Sequence, residues 1–242
     1  MGILQNENAI PSAAGAGAFY SHQIEQSARF DRADQSYLTQ DFGSVTAAKW
    51  TLSVWFKRAE TGYAYSTLIG RTGGGSQIYF NASDAIVHDS QYTNTVDGIY
   101  RDNTGWTNLV YNQKTVNTAV AWVNGVSRTV TTTGSGSWFI PWASDSAIGN
   151  ISGTGNTRFF DGYMAEIVGV YNQNLVNTDF GEFKNGVWIP ISPNVTFGSN
   201  DYYLKFEDAS NLGNDSSGNN NDWTVNNMGT DHQVLDSPTF GS

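Results

Sequence analysis

The residues best suited to chemistry lie near the C-terminus. The stretch DSSGNNND, Asp215 to Asp222, places two carboxylates, two hydroxyls and three amides within eight positions. A hard cation such as Ca²⁺ draws about six to eight oxygens from groups of this kind. Asp215 and Asp222 would supply the charge and Asn219 an amide oxygen, although the spacing is not that of an EF-hand. The other reading is a turn, in which Asp and Asn side chains bond the backbone beside them. A second stretch, GSWFIPWASD, carries Trp138 and Trp142 around a proline that does not suit a central strand. Either indole could stack on a sugar or touch a neighbouring subunit; either could equally fill a core.

Catalytic arrangements are harder to find. Hydrolysis of a glycosidic bond needs two carboxylates about 5 Å apart, or roughly 6.5 to 9.5 Å apart with inversion. The nearest candidates, Asp161 and Glu166 in FDGYMAEI, are an odd number of positions apart, so an extended strand points them to opposite faces. Glu207 and Asp208 are adjacent and diverge too. His22, His88 and His232 form no metal-binding spacing. GRTGGGSQ lacks the lysine of a phosphate-binding loop and reads as a hairpin turn. The residues therefore point to a protein that is not an enzyme.

Composition narrows the partners. With 12 Lys and Arg against 22 Asp and Glu, the net charge is −10, which disfavours nucleic-acid backbones. The absence of cysteine excludes disulfides and thiolate sites and fits assembly in a reducing cytosol. No apolar run approaches the roughly 20 residues that span a bilayer, so membrane insertion is not expected. The start MGILQNENAIPSAAGAGAFY has neither the basic beginning nor the apolar centre of a signal peptide.

The elements that must position these residues are strands. Trp50, Leu52, Val54 and Phe56 alternate along one face of WTLSVWFKR, with Thr51 and Ser53 on the other. SARF, STLIGR, SQIYFN, AIVH, GWTNLVYNQ, FFDGYMAEIVGVYN, DYYLKF and NDWTV read similarly. Asn124-Gly125 in VNGV signals a tight hairpin. One helix of about two turns is expected in NLVNTDFGEFKNG, ending at Gly186. Residues 1–26 read as an extended Gly/Ala-rich arm, 27–225 as one all-β domain and 226–242 as a tail. An arm of this composition holds order only against a partner, so residues 1–26 are expected to anchor the domain to other proteins.

Four stretches in order resemble the laminin-G-like branch of the concanavalin A-like jelly rolls: SARFDRADQSYLTQ, WTLSVWFKR, WTNLVYN with AVAWVNGV, and FFDGYMAEIVGVYNQNLVNTDF. The resemblance implies a jelly-roll sandwich. DSSGNNNDW is similar to a loop that in some members of that family helps hold Ca²⁺, which implies that role for Asp215, Asn219 and Asp222. Asn220 and Trp223 stand where the family has glycines. The loop usually precedes the opening hairpin; here it follows everything else. That order implies a circular permutation in which Tyr202 to Val225 returns beside the first strands.

IEQSARFD, FDGYMAEI, FGEFKNGVWIP and DSSGNNNDWTVNN together resemble virion proteins of tailed, especially marine, bacteriophages. This implies a non-enzymatic virion structural protein, assembled in the host cytoplasm and held to other virion proteins through residues 1–26. A capsid decoration or head-vertex role, as a homo-oligomer, is the first expectation. The alternative is an adhesin that recognises host glycans.

Overall fold

A computed structural model describes residues 19–43, 45, 49–71, 76–90, 92–115, 117–134, 142–151 and 157–239. The residues rich in Thr, Val, Ile, Tyr, Phe and Trp form strands, as their branched and aromatic side chains favour. In chain order these are β1 Ser27–Phe30, β2 Tyr37–Gln40, β3 Trp50–Arg58, β4 Ser66–Arg71, β5 Gln77–Phe80 and β6 Ile86–Asp89. Then come β7 Tyr92–Val96, β8 Thr107–Thr115, β9 Thr118–Val123, β10 Val126–Arg128, β11 Val130–Gly134 and β12 Ser146–Ile148. The last are β13 Gly162–Tyr171, β14 Gly181–Lys184, β15 Val187–Pro190, β16 Tyr202–Leu204, β17 Thr224–Asn226 and β18 Gln233–Val234.

Two large antiparallel sheets make the sandwich. Sheet A runs β10-β9-β8-β3-β13-β1-β18, and sheet B runs β11-β7-β6-β5-β4-β12-β2-β17. The first half of β13 pairs with β1 and the second half with β16. Between the halves lies a bulge at Ala165–Val168, where Glu166 adopts φ +45°. A bulge of this kind re-aims side chains, which matters below.

The core follows the alternation. Trp50, Leu52, Val54 and Phe56 of β3 face inward and meet Ile78, Phe80 and Ile86 of sheet B within one apolar cluster. An aromatic group of Trp50, Trp142, Tyr202 and Trp223 fills one region, with Tyr202 and Trp223 edge to face at 5.0 Å. Thr51 and Ser53, expected on an open face, are also buried. The outer side of sheet A is covered: the Thr51 hydroxyl donates to Gln173 O and accepts from Leu175 N–H, both at 3.0 Å. Phe180 and Tyr203 build a second apolar cluster over Val168 and Val170.

Three expectations change here. The helix expected in NLVNTDFGEFKNG is one 3₁₀ turn, Asn177–Asp179, followed by the β14–β15 hairpin. The reason is local: Asn185 and Gly186 take φ +52° and +80°, as a hairpin turn requires. Within the expected arm, residues 22–26 lie against the domain: Ile24 is buried, its N–H donates to Thr239 Oγ1 at 2.9 Å, and its carbonyl accepts from Ser237 and Thr239. Within the expected tail, β18 pairs with β1 and so joins sheet A. Residues 1–18 lie outside the described residues.

Of the late chain, β17 returns beside the first strands as the permuted order implies, whereas β16 pairs with β13 instead. β16 sits in sheet A beside β13, β17 sits in sheet B beside β2, and the DSSGNNND loop crosses between them. Gly213 permits the approach, since a Cβ there would stand 1.7 Å from Trp223 O.

Candidate functional site

The loop singled out first is spent on its own backbone. Asp215 Oδ1 accepts from Tyr203 N–H at 2.8 Å and Ser217 N–H at 2.9 Å; its Oδ2 accepts from the Ser217 hydroxyl and Asn221 N–H. Asp222 Oδ1 accepts from Asp215 N–H at 2.8 Å. Asn219 turns its amide nitrogen to Gly198 O and Asp201 O. Gly218 at φ +91° and Asn220 at φ +58° shape the turn. Asp201 is buried below, and its carboxyl is pushed up by burial, opposed by N–H bonds from Tyr171 and Gly198. Among the described residues no group of three His, Asp or Glu side chains converges as a metal cluster.

The tryptophans separate. Trp142 is 1% exposed, donates its indole N–H to Asn200 O at 3.0 Å and packs on Trp50. It fills the core and presents no ring to a ligand. Trp138 lies outside the described residues.

Glu166 and Asp161 are not brought together as an acid pair in one cavity. The bulge buries Glu166, whose Oε1 accepts from the Tyr203 hydroxyl at 2.5 Å and lies 2.7 Å from His22 Nε2. Burial, with that carboxylate close by, pushes the Tyr203 phenol well up. Asp161 stands 4.0 Å from Arg32 and is raised by burial.

The open chemistry lies on the outer face of sheet B. There Gly70, Gln77, Asp89, Thr93 and Thr133 pair in succession across β4, β5, β6, β7 and β11, and so share one face. Tyr79 stands two positions along from Gln77 and faces the same way. Tyr65, 39% exposed and held at φ +64°, stacks on Tyr79 with ring centroids 5.0 Å apart and planes at 25°. A bulky residue in the left-handed region is strained, and such strain gathers where a side chain must be presented. Arg158 lies over the Tyr65 ring, 4.2 Å from its centroid.

Beside this pair is a cavity of about 220 Å³ lined by Arg71, Gln77, Asp89, Ser90, Ile151 and Arg158. The absent Cβ of Gly70 matters here, since one would stand 2.2 Å from the Ile151 side chain. Several groups remain unused. The Arg158 guanidinium makes no ion pair or hydrogen bond among the described residues. Gln77 takes the Thr67 hydroxyl on its oxygen and, among the described residues, leaves its amide nitrogen unpartnered. Among the described residues Asp89 accepts only from the Thr93 hydroxyl, at 3.3 Å. Burial pushes the Tyr79 phenol up to about 12, aided by Asp89 and Tyr65 and opposed by Arg158. Its hydroxyl therefore stays protonated at neutral pH.

Sequence reasoning missed this site. The signal was the alternation in SQIYFN, which puts Gln77 and Tyr79 on the face opposite Ile78 and Phe80. Tyr65 and Arg158 sit in connections whose partners only the folded sheet reveals.

No protein-family model matches the chain, and no curated protein matches it. Solved structures do. A candidate carbohydrate-binding protein from Bacteroides ovatus superposes with a TM-score of 0.56 at 15% identity, over 85% of this chain. The chain spans 59% of that protein's length. Domain 4 of AbnA, an extracellular GH43 arabinanase from Geobacillus stearothermophilus, in complex with arabinotriose, gives 0.49 at 18% identity, over 65% of this chain and 75% of that one. The CBM40 of the Ruminococcus gnavus IT-sialidase, bound to α2,3-sialyllactose, gives 0.45 at 13%, over 65% and 96%. The first of these likenesses, with the two antiparallel sheets, establishes a concanavalin A-like jelly-roll sandwich.

Proposed function

We propose that this chain is a glycan-binding domain and that the outer face of sheet B is its binding site. The observation that carries the reading is the exposed Tyr65, stacked on the buried Tyr79 and standing beside a cavity with unused donors and an acceptor. A sugar ring is apolar on its C–H face and polar around its rim. The tyrosine platform suits the first, and the Arg158 fork, Gln77 amide and Asp89 carboxylate suit the second. Arg158 and Asp89 nearly balance, and the second guanidinium of the lining, Arg71, is paired with Asp145 at 3.1 Å, which favours a neutral, hydroxyl-rich ring. A concave site with a few convergent polar groups is the usual form of small-ligand sites, and a cavity of about 220 Å³, below the roughly 300–1,000 Å³ of drug-sized pockets, suits a single ring. The carbohydrate-binding description of the Bacteroides ovatus protein agrees with this reading. The comparisons lend nothing to the capsid-cement expectation. A virion setting, as a receptor-binding component assembled in the host cytoplasm, is the context we propose on the sequence resemblance alone.

A glycan array followed by calorimetry on the best sugar tests the site. Tyr65→Ala and Arg158→Ala should each weaken binding at least about tenfold, since central aromatic and arginine contacts carry most binding energy. Wild-type affinity in both variants would remove the sheet-B face from consideration.

A further inference from the structure

A second cavity, of about 370 Å³, opens between the β7–β8 connection and the β9–β10 turn and shares no lining residue with the first. Its floor is apolar: Phe56 and Val123 are buried, and Ile99, 64% exposed, forms part of the rim. The polar groups around it differ in whether they are already engaged. Arg101 Nε donates to Asp84 Oδ2 at 2.7 Å, and the same buried carboxylate holds Arg58 at 2.9 Å and Gly62 N–H at 2.6 Å. Asp102 Oδ1 accepts from the Thr104 N–H and hydroxyl. Arg128 stands apart. It is half-buried, makes no ion pair or hydrogen bond among the described residues, and its Nε is buried without a partner.

That vacancy is not for want of carboxylates. The chain carries 22 Asp and Glu against 12 Lys and Arg, yet among the described residues none is placed on Arg128. A partly desolvated guanidinium with unmet donors is costly unless an acceptor arrives. Its planar fork fits a carboxylate in two parallel bonds. Asn124 accepts from Asn108 N–H on its side-chain oxygen at 2.8 Å and, among the described residues, keeps its amide nitrogen free at the same rim. Asp102, across the mouth, disfavours a doubly charged phosphate and leaves a single negative charge as the best fit. We propose that this cavity binds a carboxylate-bearing ligand of compact ring size, with Arg128 as its anchor and Phe56, Val123 and Ile99 against its body. The site stands whether or not the sheet-B face binds sugar.

The test is a titration of the ¹⁵N-labelled full chain, following the Arg128 Nε–H and the Val123 and Asn124 amides. Sodium glucuronate represents an acid borne on a sugar and sodium benzoate a free apolar acid; glucose and benzamide are their neutral counterparts. At least one acid should give saturable shifts, with its neutral counterpart binding at least about tenfold more weakly. Glucuronate alone would identify a glycan-borne acid, benzoate alone a free apolar one, and both the shared carboxylate. Arg128→Gln should weaken acid binding at least about tenfold, and Arg128→Lys, which keeps charge but loses the fork, by less. Equal binding of acid and neutral counterpart, an Arg128→Gln chain that binds as wild type does, or no saturable shift by either acid up to about 50 mM, would overturn the proposal.

Discussion

Lowering the pH from 7.5 to 5 should destabilise the protein by about 2 kcal/mol through one buried histidine. His88 is fully buried on β6, edge-on to Trp50 and Tyr111 at 5.3 Å. Its Nε2 lies 3.0 Å from Ser76 Oγ and its Nδ1 3.0 Å from the Tyr111 hydroxyl. Asn94 joins the network and bonds Thr132. Among the described residues no carboxylate takes part, so none of them compensates a charged ring. Burial accordingly lowers the His88 pKa from 6.5 to about 4, with Gln113 pulling weakly the other way. Between those values the unfolded chain binds a proton that the native state refuses, and stability falls as pH drops through the window. With the two pKa values 6.5 and about 4, the unfolded state gains a factor of roughly 30 at pH 5, or about 2 kcal/mol. Guanidinium unfolding at the two pH values, on wild type and His88→Gln, isolates the effect. The comparison is needed because Asp161 and Asp201, raised by burial, act with the opposite sign. The wild type should lose about 2 kcal/mol more than the variant over this interval. Parallel losses, or an NMR titration of the His88 ring near its unperturbed pKa, would refute the reasoning.

Two further predictions concern the loop and the strap. Asp215→Asn replaces an acceptor with an amide that must face four N–H and O–H donors, so it should destabilise by about 2–4 kcal/mol, measured by denaturant unfolding, with or without added calcium. If the loss appears only when calcium is present, the carboxylate serves a cation rather than the turn. A chain beginning at Ser27 should be less stable than one beginning at Phe19 by roughly 2–5 kcal/mol, because it loses the buried Ile24 and the His22–Glu166 contact. Equal melting temperatures for the two chains would show that the strap contributes nothing.

The strands were legible because burial on the core side imposes a period of two. WTLSVWFKR shows that period in Trp50, Leu52, Val54 and Phe56, and the structure places all four in the core. The second burial of Thr51 and Ser53 was not legible, because it depends on residues 173–175 crossing from far along the chain. The hairpin at Asn124-Gly125 was readable from turn chemistry, and Asn124 and Gly125 take φ +48° and +74°. The same chemistry at Asn185-Gly186 suits a helix end as well as a hairpin, since Gly after an amphipathic run fits both. The site was the least legible part. Asp215 and Trp142 stood out by residue type, but the fold spends one on a turn and the other in the core. Tyr65, Tyr79 and Arg158 are ordinary residues in sequence and acquire meaning only when three separate segments meet on one face.

The central claim is that a sugar sits on the Tyr65–Tyr79 platform. A crystal structure of the chain soaked with the best sugar from an array tests it most directly. The ring should lie against Tyr65, with hydroxyls within hydrogen-bond reach of Arg158, Gln77 and Asp89. A sugar bound on another face, or an array on which the intact chain captures no glycan, would contradict it.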